Sequence, residues 1–207
     1  VPYDWNELVG YDFLRQAREV TVKHGSALIF DQILTGFRLG IDGAQGFFDV
    51  IPDLTTYGKA IANGYPLAVV GGVKPLMHMF DQVMITTTHA GETLSLAAAM
   101  ATLKTMQDEP VFDRIRASGQ RLQQGFDSLS ARHGLKEAKS FGLPVAPQLR
   151  FSSDDQVHDR LKTRFDRYLF ENGVFPSSPY LINYAHSVED IDATLEVMDT
   201  ALANISD

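Results

Sequence analysis

Cysteine is absent from this 207-residue sequence, so neither a disulfide framework nor a thiolate metal site can be built from it. Long apolar runs are absent too. Stretches such as Ala27-Leu28-Ile29-Phe30, Leu67-Ala68-Val69-Val70 and Leu96-Ala97-Ala98-Ala99-Met100 fall far short of the ~20 residues that cross a bilayer, and a soluble protein with no membrane partner is expected. Basic residues are the minority, 18 Lys and Arg against 26 Asp and Glu. The net charge of −8, with no basic stripe to offset it, leaves phosphate-backbone binding without electrostatic support and excludes nucleic acid as an expected partner. No signal peptide opens the sequence, so a cytoplasmic address is the expectation.

What is present is ordinary globular usage: 44% apolar and 21% charged residues suffice to close a core. Tyr11 to His24 places Leu14, Ala17 and Val20 to Val22 among Arg15, Arg18 and Lys23, a helical pattern that Gly25 ends. Ala27 to Phe30 then reads as a short strand buried on both faces and closing on Asp31. Glycines at 36, 40, 43, 46, 58 and 64, with Pro52 and Pro66, make the next stretch loop-rich, the kind of segment that carries functional groups. Leu67 to Val70, closed by Gly71-Gly72, and Val83 to Thr87 read as further strands. Leu94 to Met106 reads as a largely buried, alanine-rich helix.

Pro110 marks a boundary. Beyond it, helical spacing joins Ile115, Leu122, Phe126 and Leu129, and again Val157, Leu161, Phe165 and Tyr168. Val145 to Phe151 and Tyr180 to Tyr184 are strand candidates. Ser187-Val188-Glu189-Asp190 puts a hydroxyl at an N-cap and an acid three residues on, ahead of an apolar face of Ile191, Leu195, Met198 and Leu202. The alternation predicts an α/β fold in two parts, residues 1–110 and a small α/β unit over residues 111–207.

An acid after an apolar strand, as at Asp31, also suits the magnesium-binding strand of a P-loop NTPase. The glycine-rich loop ending in Gly-Lys-Ser/Thr that such an enzyme needs is missing, because the Gly58-Lys59 pair runs on into Ala60. Neither a G-x-S-x-G elbow nor an H-E-x-x-H pair occurs, so those serine-hydrolase and zinc-protease signatures are excluded. The histidines are scattered, and no metal site is expected. What remains is a carboxylate at a strand end, Asp31, and a lysine on a glycine-flanked turn, Tyr57-Gly58-Lys59-Ala60. Pyridoxal phosphate (PLP) needs those two parts. An amine condenses with its aldehyde, and a carboxylate keeps its ring nitrogen protonated so that the ring accepts electrons from a substrate carbanion. Taken alone the pair favours a structural explanation, since most charged residues simply face water.

The residues around the pair carry a resemblance. Leu28-Ile29-Phe30-Asp31-Gln32-Ile33-Leu34-Thr35-Gly36-Phe37-Arg38 resembles the LIFDEVxTGFR block of class III aminotransferases, and Pro52-Asp53-Leu54-Thr55-Thr56-Tyr57-Gly58-Lys59 resembles their PDLxxxGK block. Gly43-Ala44-Gln45 and Leu67 to Gly72 extend the likeness, and Thr88-His89-Ala90-Gly91-Glu92-Thr93-Leu94 is similar to the family's T-x-x-G-N-P-L segment. Phe175-Pro176 and Ala185 to Ile191 resemble the glutamate-1-semialdehyde aminomutase branch.

The resemblance implies PLP transferase fold type I, with this sequence as the C-terminal half. Residues 1–110 would be part of a large domain with a mixed, mostly parallel sheet, and residues 111–207 the small C-terminal α/β domain. Active sites would be shared across a homodimer. Asp31 would pair with the pyridinium nitrogen, Lys59 would hold the aldehyde and shuttle protons, Ile33 would lie on the ring face, and Thr88 would reach the phosphate of the neighbouring subunit. The implied activity is transfer of an amino group from a small-molecule amino donor to a carbonyl acceptor. Intramolecular transfer of the aminomutase type and a non-catalytic dimerisation chain are the alternatives. Departures from the pattern are Gln32 for glutamate, Leu34 for glutamine, Glu92-Thr93 for Asn-Pro, and Ser177 to Tyr184, where the aminomutase branch carries an acid. No arginine follows Arg167 to clamp a substrate carboxylate.

Overall fold

A computed structural model describes residues 12–83 and 87–206. The chain divides into two compact units, with the change from Phe112 to Asp113 falling in the first turn of a long helix.

In the first unit, helix α1 (Phe13–His24) ends where Gly25 turns left-handed at φ 64° and gives its N–H to the carbonyls of Thr21 and Val22. Strand β1 (Ile29–Asp31) follows, then helix α2 (Gly43–Phe48), strand β2 (Leu54–Tyr57), a 3-10 turn at Lys59–Ala62, strand β3 (Val69–Gly72), the short helix α3 (Lys74–Met77) and helix α4 (Thr93–Asp108). β2 is central: it runs parallel to β1 with Asp31 opposite Thr56, and antiparallel to β3 with Leu54 opposite Gly72. A Cβ on Gly72 would meet the Asp53 carbonyl oxygen at 2.3 Å, so only glycine permits that approach of β3 to β2. Ile61, Ala62 and Ala99 form a buried cluster with Phe37, Tyr57, Leu67 and Val69 against it, which fastens the 3-10 turn to the sheet and to α4.

Several sequence expectations are corrected here. β1 is buried on one face only, Phe30 being inside while Ile29 is 56% exposed. Gly71 and Gly72 lie inside β3 and do not close it. α4 is not largely buried: Leu94, Leu96 and Met100 are exposed, and only Ser95 and Ala99 are buried. β2 was expected as loop. The strand expected over Val83 to Thr87 falls mostly on residues 84–86, outside the described residues.

The second unit contains helix α5 (Val111–Arg132), the antiparallel pair β4 (Lys139–Phe141) and β5 (Gln148–Arg150), helix α6 (Asp155–Glu171) and helix α7 (Val188–Ser206). Phe126, Phe151 and Phe165 meet edge-on or tilted, with centroids 5.0 to 6.0 Å apart, and Leu122, Leu169, Met198 and Leu202 complete the fully buried core. The capping box before α7 forms as its spacing predicts: Ser187 Oγ accepts from Asp190 N at 3.1 Å and Asp190 Oδ2 accepts from Ser187 N at 2.8 Å. Residues 180–184 are not a strand. They are fixed by isolated bonds, from Tyr180 N to the Pro147 carbonyl and from Ile182 N to that of Val145, and Tyr184 enters a turn. Burial pushes the Tyr180 hydroxyl pKa up.

Candidate active site

Parallel strands present their carboxyl ends side by side, and ligands of α/β sheets gather at those ends. Here the ends of β1 and β2 bring Asp31 beside Thr56. The Asp31 carboxylate is oriented locally, its Oδ1 accepting from the Ile33 N–H at 3.0 Å and from Thr56 Oγ1 at 3.3 Å. The Gln32 N–H continues the ladder to the Thr56 carbonyl at 3.0 Å, and the chain turns beyond it, where the Gly36 N–H donates to the Gln32 carbonyl at 2.7 Å. Asp31 and Ile33 both stay exposed, while Gln32 between them is fully buried.

Lys59 comes two residues after β2. Gly58 before it is buried and extended, and a Cβ there would come within 3.3 Å of Ile33 Cγ2. The missing side chain lets Ile33 lie against the turn that carries the lysine. Lys59 itself sits at φ 45°, a left-handed backbone that costs a side-chain-bearing residue roughly 1–2 kcal/mol. Strain of that kind survives where the surroundings over-determine it, and it concentrates at functional positions. The amine-bearing residue is exposed. Asp31, Ile33 and the turn that carries Lys59 therefore lie together at the strand ends, and a carboxylate, an amine and a branched apolar side chain are the residue types that an aldehyde-bearing cationic ring requires. Among the described residues no group of three or more His, Cys, Asp or Glu could hold a metal ion.

Thr88 lies on the exposed turn before α4. That turn is closed by Ala90 N to the Thr87 carbonyl and Glu92 N to the His89 carbonyl. Glu92 caps α4, its carboxylate accepting from the N–H groups of Leu94 and Ser95 and from the Ser95 hydroxyl. Those bonds, the Ser95 hydroxyl foremost, hold its pKa below the ordinary carboxylate range.

Two supports of the patch were not singled out from sequence. Thr56 holds the Asp31 carboxylate; its only sequence signal was its place in the lysine block. Asp53 anchors the start of β2: Oδ2 accepts from Arg18 Nη2 and from the Leu28 N–H, both at 2.7 Å. The Arg18 hydrogen bond is the main reason its carboxyl pKa is lowered.

Solved structures share this fold. The FumI protein of Sphingopyxis sp. MTA144, in its PLP internal aldimine form, superposes with a TM-score of 0.88 at 29% identity over 94% of this chain and 47% of that one. An omega-transaminase from Sphaerobacter thermophilus does so with a TM-score of 0.84 at 25% identity over 94% and 48%. The fold is that of the fold-type-I PLP-dependent transaminases. The class-III aminotransferase model matches residues 8–196, and the chain belongs to that family. Among curated relatives, the glutamate-1-semialdehyde 2,1-aminomutase 2 of Staphylococcus saprophyticus is 33% identical over 93% of this chain. The chain spans about half the length of the curated relatives it matches, 48% in that case. No described helix is long and apolar enough to cross a membrane.

Proposed function

We propose that this chain supplies the lysine and the ring-nitrogen carboxylate of a PLP-dependent aminotransferase that moves an amino group from a small-molecule donor to a carbonyl acceptor. The observation that carries the proposal is the meeting of Asp31, Ile33 and the strained turn of Lys59 at the ends of two paired parallel strands. When bound, PLP supplies an aldehyde that condenses with amines and a protonated ring that accepts electrons.

Asp31, held by Thr56 and the Ile33 N–H, would keep a proton on the ring nitrogen by its negative charge. Ile33 would cover one ring face and exclude water from it. The Lys59 amine would hold the aldehyde carbon and, once displaced by a substrate amine, take and return the substrate proton as a general base and acid. Thr88, exposed on the turn before α4, would reach a second subunit's site, where its hydroxyl would donate to the phosphate. This makes a homodimer with shared sites the working assembly. The two compact units then correspond to part of the large domain, residues 1–110, and the small C-terminal domain, residues 111–207, of a cytoplasmic enzyme.

Intramolecular transfer is the second reading, favoured by the aminomutase relatives at about one-third identity. The segment Ser177 to Tyr184, which has no acid, supports separate donors and acceptors. Incubating the full-length protein with glutamate-1-semialdehyde alone, then with separate amino donors and carbonyl acceptors, decides between them. Turnover only with the separate pair is the expected result; efficient 5-aminolevulinate formation with no second substrate overturns it.

A further inference from the structure

Gln32 stands between Asp31 and Ile33 in the chain, and it is fully buried where its two neighbours are exposed. The surroundings are cut to fit it. A Cβ on Gly43 would come within 2.6 Å of its Oε1, and one on Gly36 within 2.6 Å of its carbonyl oxygen and 2.7 Å of the Tyr57 ring. The sense of the amide is fixed by Ala44, whose N–H donates to Oε1 at 2.7 Å, because a backbone N–H cannot accept. Nε2 therefore faces Thr55 Oγ1 at 2.9 Å and Gln45 Oε1. That leaves Gln45 Nε2 to donate to the Tyr57 hydroxyl oxygen at 2.8 Å. The chain of bonds thus runs one way, from a backbone amide through two glutamines to Tyr57, whose ring also meets Phe37 at 5.1 Å.

Tyr57 ends β2, and Lys59 is two residues beyond it. One end of the network is therefore joined covalently to Asp31 and the other to the lysine turn. We infer that Gln32 is a positioning residue that fixes the spacing of Asp31 and Lys59 through Gln45 and Tyr57, and does so without adding a charge beside Asp31. The inference rests on the Asp31 and Lys59 site proposed above. A hydrogen-bond network screened from water rigidifies what it joins, and each lost member leaves its partner unpaired.

The test uses the full-length protein, three single variants and the double variant Gln32→Leu/Tyr57→Phe. Gln32→Leu removes both polar atoms at similar size, and Tyr57→Phe removes only the far hydroxyl. Gln32→Glu restores an acceptor for the Ala44 N–H and lets Gln45 turn its amide to keep the link. Lys59 is followed by competitive acetylation with trace acetic anhydride, its rate against pH read by mass spectrometry relative to Lys139 in the same sample. This readout needs no cofactor. PLP affinity is measured alongside.

Positioning predicts that relative acetylation of Lys59 changes about tenfold in Gln32→Leu, the worth of one hydrogen bond of ordinary strength. Tyr57→Phe changes it less and in the same direction, the double variant goes no further than Gln32→Leu, and Gln32→Glu recovers it. PLP affinity follows the same order. Unchanged relative acetylation in Gln32→Leu and Tyr57→Phe, with only a lower unfolding midpoint, makes Gln32 a core residue and overturns the inference. Where Gln32→Leu does not fold, Tyr57→Phe decides by the same readout. Absence of PLP binding in every protein, wild type included, contradicts the proposed function, while the acetylation ratios still decide the role of Gln32.

Discussion

Thr56 Oγ1 donates to Asp31 Oδ1 at 3.3 Å across the last paired register of two parallel strands. The acid is thus aimed by a neighbour on the strand that leads to Lys59. Thr56→Val keeps shape and removes the donor. The expected outcome is a fall in transamination rate of about three- to tenfold with stability altered by less than ~1 kcal/mol, since a single such bond is worth about that much. Steady-state rates and denaturant midpoints on the full-length enzyme check it; an unchanged rate means the Ile33 N–H alone orients the carboxylate.

Asp31→Ala removes the carboxylate proposed for the ring nitrogen. Asp31 is exposed, so its loss leaves no cavity, and the fold should persist while transamination disappears. Circular dichroism and turnover, measured together, test this. Wild-type-like turnover would make the carboxylate structural.

The sequence made the chemistry of this patch legible because it is local. An apolar run closing on Asp31 and a glycine before Lys59 are adjacent-residue signals, as is the capping box at Ser187 and Asp190. β2 was not legible: Leu54 to Tyr57 are all half-buried, so no alternation announces the strand, and Pro52-Asp53 and Gly58 disguise it as turn. Burial of α4 was misjudged because alanine-rich composition reports helix propensity and not which face is covered. The Gln32 network joins residues 12 to 25 positions apart, a pairing that only the folded sheet creates.

Lys59 at φ 45° gives a prediction that separates function from stability. Lys59→Gly and Lys59→Ala both remove the amine and should both abolish transamination. Glycine accepts the left-handed backbone and alanine does not, so the glycine variant should be the more stable of the two by about 1 kcal/mol. Chemical denaturation of the pair decides; equal stability would mean that the turn relaxes and stores no strain.

Glu92 links the start of α4 to pH. Its carboxyl pKa is lowered in the folded chain from an ordinary value of 4.5, mainly by the Ser95 hydroxyl and then by the Leu94 and Ser95 N–H groups. The cap is therefore fully present above the unfolded carboxylate's pKa and is lost as pH falls through the lowered folded value. Hydrogen exchange at the Leu94 and Ser95 amides, corrected for intrinsic rates, should lose protection on acidification. In Glu92→Gln that acid-dependent loss should disappear. Acid-dependent exposure persisting in the variant would assign it to another group.

The proposed role of Lys59 is tested most directly by chemical trapping. The full-length protein is incubated with PLP, reduced with borohydride, digested and examined by mass spectrometry. The account predicts a phosphopyridoxyl group on Lys59, absent when the protein carries Lys59→Ala. The same adduct found on Lys74 or Lys104, with Lys59 unmodified, would contradict it.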